Sequence, residues 1–348
     1  MNEFAETLLA WHDRSARDLP WRGEKDPYRI WISEIMLQQT RAETVKGYYA
    51  RFLHVFPTVY ALAAASEDQV FKLWEGLGYY SRARNLMSAA RMIVEQYGGM
   101  LPGDRKSLMR LPGVGEYVSG AVASIAFGRR EPALDGNQAR VLTRVWDYDR
   151  LLRSPAELYD RALEWVPSER PGDYNQALMG LGALVCTPRN PDCARCPVSA
   201  FCRACENGTQ LLRPVKPEKQ AQKVMSVMVA VVYCADGLLM RKRGRGLLSG
   251  LWEYPCFEDA RELPDLEAAL SEAGIDAVRE CALEQHRHVF THRIWQMQGY
   301  AYRLRALDAD SSFHLVSWAE FARLAVPAAF QPYTEFAREM AGKHHTDR

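Results

Sequence analysis

Charge of one sign is what this sequence most plainly lacks. Its 348 residues carry 44 Lys and Arg against 43 Asp and Glu, a net charge of +1. Divided after Glu206, where the composition shifts, the first part has 26 basic and 25 acidic residues and the second has 18 of each. Neither half is a polycation, so a basic tail that clings to nucleic acid is excluded. No apolar run is long enough to span a membrane. Residues 1–21 mix Glu, Asp and Arg with short apolar stretches, and no basic segment leads into an apolar one. No secretory signal is read there. Internal repeats and low-complexity tracts are missing too. With 11% aromatic and 25% charged residues, wholesale disorder is excluded. The expected setting is a reducing cytoplasm, where cysteines serve as metal ligands or free thiols rather than as disulfides.

What is present points to two domains. Apolar residues at three- and four-residue spacing predict helices over 4–11, 28–39, 45–52, 69–73, 81–97, 117–127 and 138–146. Pro20, Pro27, Pro57, Gly98-Gly99 and Pro112-Gly113 punctuate them. The first domain, 1–206, is expected to be all-α. Residues 207–223 carry Pro214, Pro217 and several Lys and Gln, and read as a linker. Beyond it the period changes to two. Strands are expected over 225–234, 238–242 and 295–304, with helices over 266–273 and 335–340. The second domain, 224–342, is therefore a small α+β unit, followed by a tail at 343–348.

Of the 8 cysteines, five lie between Cys186 and Cys205. Cys186, Cys193, Cys196 and Cys202 form C-x6-C-x2-C-x5-C. Four thiols so close together call for a shared ligand. A structural zinc and a 4Fe–4S cluster suit them about equally. Cys205 adds a competing pattern, because Cys193-x2-Cys196-x5-Cys202-x2-Cys205 is also a compact zinc arrangement.

Leu111-Pro112-Gly113-Val114-Gly115 precedes a helix expected to begin near Glu116. Gly113 and Gly115 allow a tight turn, and helix N-terminal amides favour an anion. This reads as a helix–hairpin–helix, which grips a DNA phosphate by its backbone. Glu34 lies on a helix with Ile30, Trp31, Leu37 and Gln38 at neighbouring positions. Burial there would raise its pKa and keep a general acid protonated near neutral pH. Asp135 precedes a helix as an N-cap. Backbone donors and the helix dipole are expected to hold its carboxylate ionised. One carboxyl tuned up and one tuned down is the pattern of glycosyl transfer.

Together these segments resemble the MutY-type branch of the helix–hairpin–helix iron–sulfur DNA glycosylases. The shared stretches are Leu19-Pro20-Trp21-Arg22, Trp31 to Arg41, Gly76 to Arg84, Leu111 to Tyr117, Leu134 to Asn137 and the four cysteines. The resemblance implies a 4Fe–4S cluster on those cysteines in place of zinc. It implies that Glu34 protonates adenine and that Asp135 stabilises the positive charge developing at the sugar. Tyr117 and Asn137 would orient that pair. Trp21, Arg22 and Gln39 would line the pocket for the extruded base, while Gln38 and Tyr79 would enter the duplex. Bifunctional relatives carry Lys where Tyr117 stands, so a monofunctional glycosylase is expected. Gly180 stands where an acidic residue is expected.

The second domain resembles a MutT-like (Nudix) domain without the Glu-rich magnesium box. Its His288-Val289-Phe290-Thr291-His292 resembles the loop that recognises 8-oxoguanine, with Thr291 in place of Ser. The implied substrate is duplex DNA with adenine opposite 8-oxoguanine or guanine, handled by a monomer off the membrane, on the nucleoid in a bacterium. A glycosylase for thymine opposite guanine, a catalytically silent lesion sensor and a Nudix hydrolase are the rivals. A near-neutral protein of this kind needs one positive face, for which Arg82, Arg84, Arg140, Arg189 and Arg195 are candidates, and a modest salt slope.

Overall fold

The structure is a computed structural model and describes residues 2–218, 221–258 and 260–346. Lys219 and Gln220 of the expected linker and the last two residues of the expected tail lie outside the described residues. The chain divides into two compact units. One comprises Met1–Ala65 and Ser81–Glu218; the other comprises Ser66–Tyr80 and Lys219–Arg348.

Helices run from end to end of the first two hundred residues. They are α1 (Glu3–Ser15), α2 (Pro27–Leu37), α3 (Ala42–Val55), α4 (Val59–Ala63), α5 (Glu67–Trp74), α6 (Ser81–Tyr97), α7 (Arg105–Leu108), α8 (Glu116–Phe127), α9 (Gly136–Val145), α10 (Tyr159–Trp165), α11 (Pro171–Leu184) and α12 (Arg203–Glu206). Local chemistry sets their starts. Asn2 caps α1 by accepting from Ala5 N at 2.8 Å. Asp26 caps α2 by accepting from Tyr28 N at 2.9 Å, with Pro27 in the first turn. Helices α1, α9 and α11 share a core that includes Leu8, Val141, Leu142, Tyr174, Leu178 and Leu181.

Helix α11 escaped the periodicity reading. It is apolar nearly all round, so no polar stripe marks its turns. Its glycines have a packing reason. A Cβ on Gly182 would sit 2.7 Å from the Asn137 Cβ and 3.2 Å from its backbone, so α11 can approach the start of α9 only without a side chain there. The expected linker is also partly folded. Asp147 accepts from Asn207 (2.9 Å), Thr209 (2.7 Å) and Arg213 (2.7 Å), and Val215 bridges to Leu151. These bonds tie the first half of the segment to the helical unit.

In the second unit, α5 is joined to the C-terminal elements. Lys72 donates to the Leu324 carbonyl at 3.0 Å, and Glu75 accepts from Val326 N at 3.3 Å. The sheet contains β1 (Lys223–Tyr233), β2 (Gly237–Lys242), β3 (Trp252–Glu253), β4 (Cys256–Phe257), β5 (Ile275–Ala282), β6 (His286–Val289), β7 (Arg293–Leu307) and β8 (His314–Ser317). Its main path is β3-β2-β1-β7-β5, and β1 and β7 pair in parallel along the whole of β1. Strand β1 is apolar on both faces because both are covered. Val227, Val229 and Val231 enter a core with Phe330, Tyr333 and Ala337, which belong to a short turn and to α15 (Gln331–Thr346). Met228, Ala230 and Val232 enter another, with Leu266 and Leu270 of α13 (Leu263–Glu272). A short α14 (Trp318–Phe321) follows β8. Strands β5, β6 and β8 were not anticipated, because exposed polar residues interrupt their alternation. Among the described residues, no helix is long and apolar enough to cross a membrane.

The contact at Gly182 yields a direct test. Gly182→Ala should lower stability by about 1–3 kcal/mol through overpacking against Asn137. Chemical denaturation should show it; an unchanged midpoint would mean that the close approach is not constraining.

Candidate active site and cluster loop

Helix α2 places Glu34 inside the first unit, where it is only 4% exposed beside fully buried Trp31. The Tyr117 hydroxyl, from the first turn of α8, donates to Glu34 Oε2. Burial raises the Glu34 pKa to about 7. The hydrogen bond from Tyr117 and the charge of Arg22 oppose the rise, and the negative charge of Asp135 adds to it. The Tyr117 phenol is pushed well above its ordinary range, first by burial and then by the charges of Glu34 and Asp135. It therefore stays protonated and remains a donor.

Asp135 caps α9 as the sequence suggested. Its Oδ1 accepts from Gln138 N at 2.7 Å and its Oδ2 from Asn137 Nδ2 at 2.8 Å. The expected lowering of its pKa is corrected, however. Desolvation pushes the carboxyl up, and the donors from Gln138 and Asn137 with the charge of Arg140 only limit the rise. An N-cap in water would be lowered; this one is enclosed by protein.

Asn137 is held in turn. Arg140 Nη2 donates to Asn137 Oδ1 and to the Gly182 carbonyl, both at 2.8 Å, and its Nε donates to the Cys186 carbonyl at 2.8 Å. A continuous path thus runs from the Asp135 carboxylate to the backbone of the first cysteine. One turn further along α9, Arg144 is 2% exposed and donates to Cys186 Sγ at 3.2 Å and to the Thr187 carbonyl at 2.8 Å. The sequence reading offered Arg140 to a positive outer face, but the structure spends it on internal acceptors. Arg82 is corrected likewise. It is 8% exposed and donates to the carbonyls of Ile35 (3.0 Å), Met36 (2.9 Å) and Gln38, closing the C-terminal end of α2.

Of the other residues singled out, Trp21 is buried against Tyr49, with ring centroids 5.5 Å apart. Arg22 is half-buried, and its Nε has no hydrogen-bond partner among the described residues. Gln38 ends α2, and Gln39 follows in the left-handed region at φ +56°. Tyr79, in the second unit, is also left-handed (φ +49°) and is 49% exposed. A non-glycine residue in that region costs about 1–3 kcal/mol, a cost that functional sites commonly carry. Periodicity cannot reveal this. Gly113 has φ +76°, and a Cβ there would lie 2.7 Å from Asn85 Cβ. Gly115 has no such neighbour, and it caps α8 without a side-chain acceptor. The α8 amides are thereby left open to an anion. Gly180 faces Trp11 at ordinary contact distance.

In the second unit, His288 lies on β6, and Phe290, Thr291 and His292 form its connection to β7. Phe290 packs edge-on between His288 (4.6 Å) and Trp295 (5.0 Å). Burial lowers the His288 pKa, helped by the charge of His286. Thr291 and His292 are exposed. The Thr291 hydroxyl lies 3.3 Å from the Tyr79 hydroxyl.

Cys186, Cys193, Cys196 and Cys202 line one cavity, with Arg144 in its wall. The Cys196 thiol accepts from Val198 N–H, and the Cys202 thiol accepts from the N–H groups of Cys205 and Ala204. Four thiols lining one cavity, two of them with amide donors, fit an iron–sulfur group.

Comparisons agree with this geometry. Residues 32–168 match the HhH-GPD superfamily of base excision DNA repair proteins, residues 186–202 the iron-sulfur binding domain of endonuclease III, and residues 227–335 the NUDIX domain. A thermostable thymine-DNA glycosylase structure is 34% identical, with a TM-score of 0.55 over 59% of this chain and 95% of that one. An endonuclease III in a non-covalent DNA complex has the same fold, at a TM-score of 0.51 and 24% identity over 59% of this chain and 95% of its own. The matched families define a base-excision DNA glycosylase, a hydrolase of N-glycosidic bonds acting on duplex DNA with a 4Fe–4S cofactor. The adenine DNA glycosylase of Mus musculus is 35% identical over 94% of this chain and 76% of its own length; that of Homo sapiens is 48% identical over 72% of this chain and 57% of its own. The chain belongs to the adenine DNA glycosylases.

Two consequences are measurable. Were Glu34 the proton donor in excision, the single-turnover rate would fall as pH rises through about 7, where its carboxyl ionises. A profile flat across that range would contradict the assignment. Arg140→Gln should slow excision about 10- to 100-fold at unchanged iron content, because it loosens Asn137 and Asp135; an unaltered rate would refute the path.

Proposed function

We propose that this chain excises adenine from duplex DNA where it faces 8-oxoguanine and, less specifically, guanine. The observation that carries the chemistry is Glu34, buried with a pKa near 7 beside Asp135. In this reading Glu34 donates its proton to N7 of an extruded adenine. The glycosidic bond then breaks with its electron pair going to the base. Asp135 faces the sugar as positive charge develops, with Asn137 and Arg140 fixing its orientation. Water adds to the sugar, leaving an abasic site. No step is assigned to the cluster; the Cys186 carbonyl accepts from Arg140 and its thiol from Arg144, which joins the loop to α9.

The enzyme would be monofunctional. Tyr117 offers a protonated phenol engaged with Glu34, where a lyase needs a nucleophilic amine. Trp21, Arg22 and Gln39 would form the adenine pocket. Gln38 and Tyr79 would fill the space the base leaves, and the left-handed backbone of Gln39 and Tyr79 supports a functional role for both. The hairpin of Gly113 and Gly115 would hold a phosphate. His288, Phe290, Thr291 and His292 would read the opposite base, a reading supported by the exposed tip and by the contact between Thr291 and Tyr79. One chain would suffice, since Glu34, Tyr117 and Asp135 belong to a single compact unit. In a bacterial cell the site of action would be the cytoplasmic nucleoid. A thymine-directed reading also has support, because the thymine-DNA glycosylase noted above shares the helical unit.

A product assay decides among these readings, using duplexes with adenine opposite 8-oxoguanine, adenine opposite guanine and thymine opposite guanine, with and without alkali. Adenine should be released fastest opposite 8-oxoguanine, with strand breaks only after alkali; preferential thymine release would overturn the proposal. Glu34→Gln should slow release about 10²- to 10⁴-fold while sparing DNA binding. Phe290→Ala should narrow the gap between the two adenine duplexes, and unchanged discrimination would contradict the role of that loop.

A further inference from the structure

The matched cysteine loop ends at residue 202, yet a fifth cysteine follows three residues later. We propose that Cys205 is a second thiol for the iron corner held by Cys193, so that this chain brings five thiols to a four-ligand cluster. The placement is the main argument. Cys205 lines the same cavity as Cys186, Cys193, Cys196 and Cys202. It lies on α12, just after Cys202, with its N–H bonded to the Cys202 carbonyl at 3.1 Å. Cys205 and Cys193 line the same space, and the Cys205 thiol is among the groups that act on the Cys193 thiol.

The other corners are engaged differently. Cys186 receives Arg144, Cys196 receives the Val198 amide, and Cys202 receives the amides of Cys205 and Ala204. Cys193 instead shares its side of the cavity with another thiol, and in this proposal either sulfur would serve the same metal ion. The exchange balances without an oxidant. One iron–sulfur bond to Cys193 breaks while one to Cys205 forms, and the proton released by the Cys205 thiol is taken up by the departing Cys193 thiolate. The competing sequence pattern, Cys193-x2-Cys196-x5-Cys202-x2-Cys205, then has a physical meaning: it marks an interchangeable ligand rather than a separate zinc site.

The test compares iron and sulfide content and visible cluster absorbance in the purified full-length protein and its variants. Cys193→Ala should keep at least about half of the wild-type iron, whereas Cys196→Ala and the double variant Cys193→Ala/Cys205→Ala should lose it. Alkylation under native conditions should label Cys205 in the wild type and leave it protected in Cys193→Ala. Loss of iron from Cys193→Ala comparable to that from Cys196→Ala would overturn the proposal, as would an equal iron content in the single and double variants. A further measurement does not depend on how Cys193→Ala folds. Cys205→Ser, otherwise intact, should lose cluster absorbance several-fold faster than wild type in the presence of ferricyanide. Equal half-lives would likewise overturn the proposal.

Discussion

The removal of one carboxyl from water governs the first unit. An isolated Glu is comfortable at a surface and costly inside. The structure resolves that cost by keeping Glu34 protonated up to about neutral pH and giving it partners suited to either state. The Tyr117 hydroxyl donates to it, and the positive charge of Arg22 limits the shift. Those partners come from separate elements. Glu34 needs the whole of α2, Tyr117 needs α8 to begin just after the glycine hairpin, and α2 itself needs its last carbonyls satisfied by Arg82 from α6. The proposed chemistry and the packing are therefore parts of one arrangement.

A second dependence runs through α9. Its N-cap is Asp135, its first turn carries Asn137, and its inner face carries Arg140 and Arg144. The two arginines reach the loop that begins at Cys186. The four-cysteine loop thus does more than close the C-terminal side of the helical unit. It sets the position of the helix whose first residues hold the second carboxyl. Gly182 matters for the same reason, since only a glycine lets α11 come so close to Asn137.

Much of this was legible in the sequence. The helical first unit, the α+β character of the second and the cysteine loop follow from spacing, and the apolar neighbours of Glu34 tie a raised pKa to a burial that the structure supplies. Other features were hidden for physical reasons. The Asp135 pKa was misjudged because an N-cap motif reports donors and says nothing about desolvation. Arg82 and Arg140 look like surface charges in a linear reading, yet each donates to backbone carbonyls 42 or more positions away. Helix α11 lacks a polar stripe because it is enclosed. The left-handed backbone at Gln39 and Tyr79 leaves no trace in composition. The near-zero net charge is also clearer: several arginines are used internally, so charge summed over the chain says little about the surface offered to DNA.

The central claim is that Glu34 remains an acid near neutral pH. Isotope-edited infrared titration of a 13C-glutamate-labelled protein, with Glu34→Gln as the reference, reads that carboxyl alone. A protonated band persisting to a midpoint near 7 is expected. A midpoint at the ordinary value of 4.5 would contradict it.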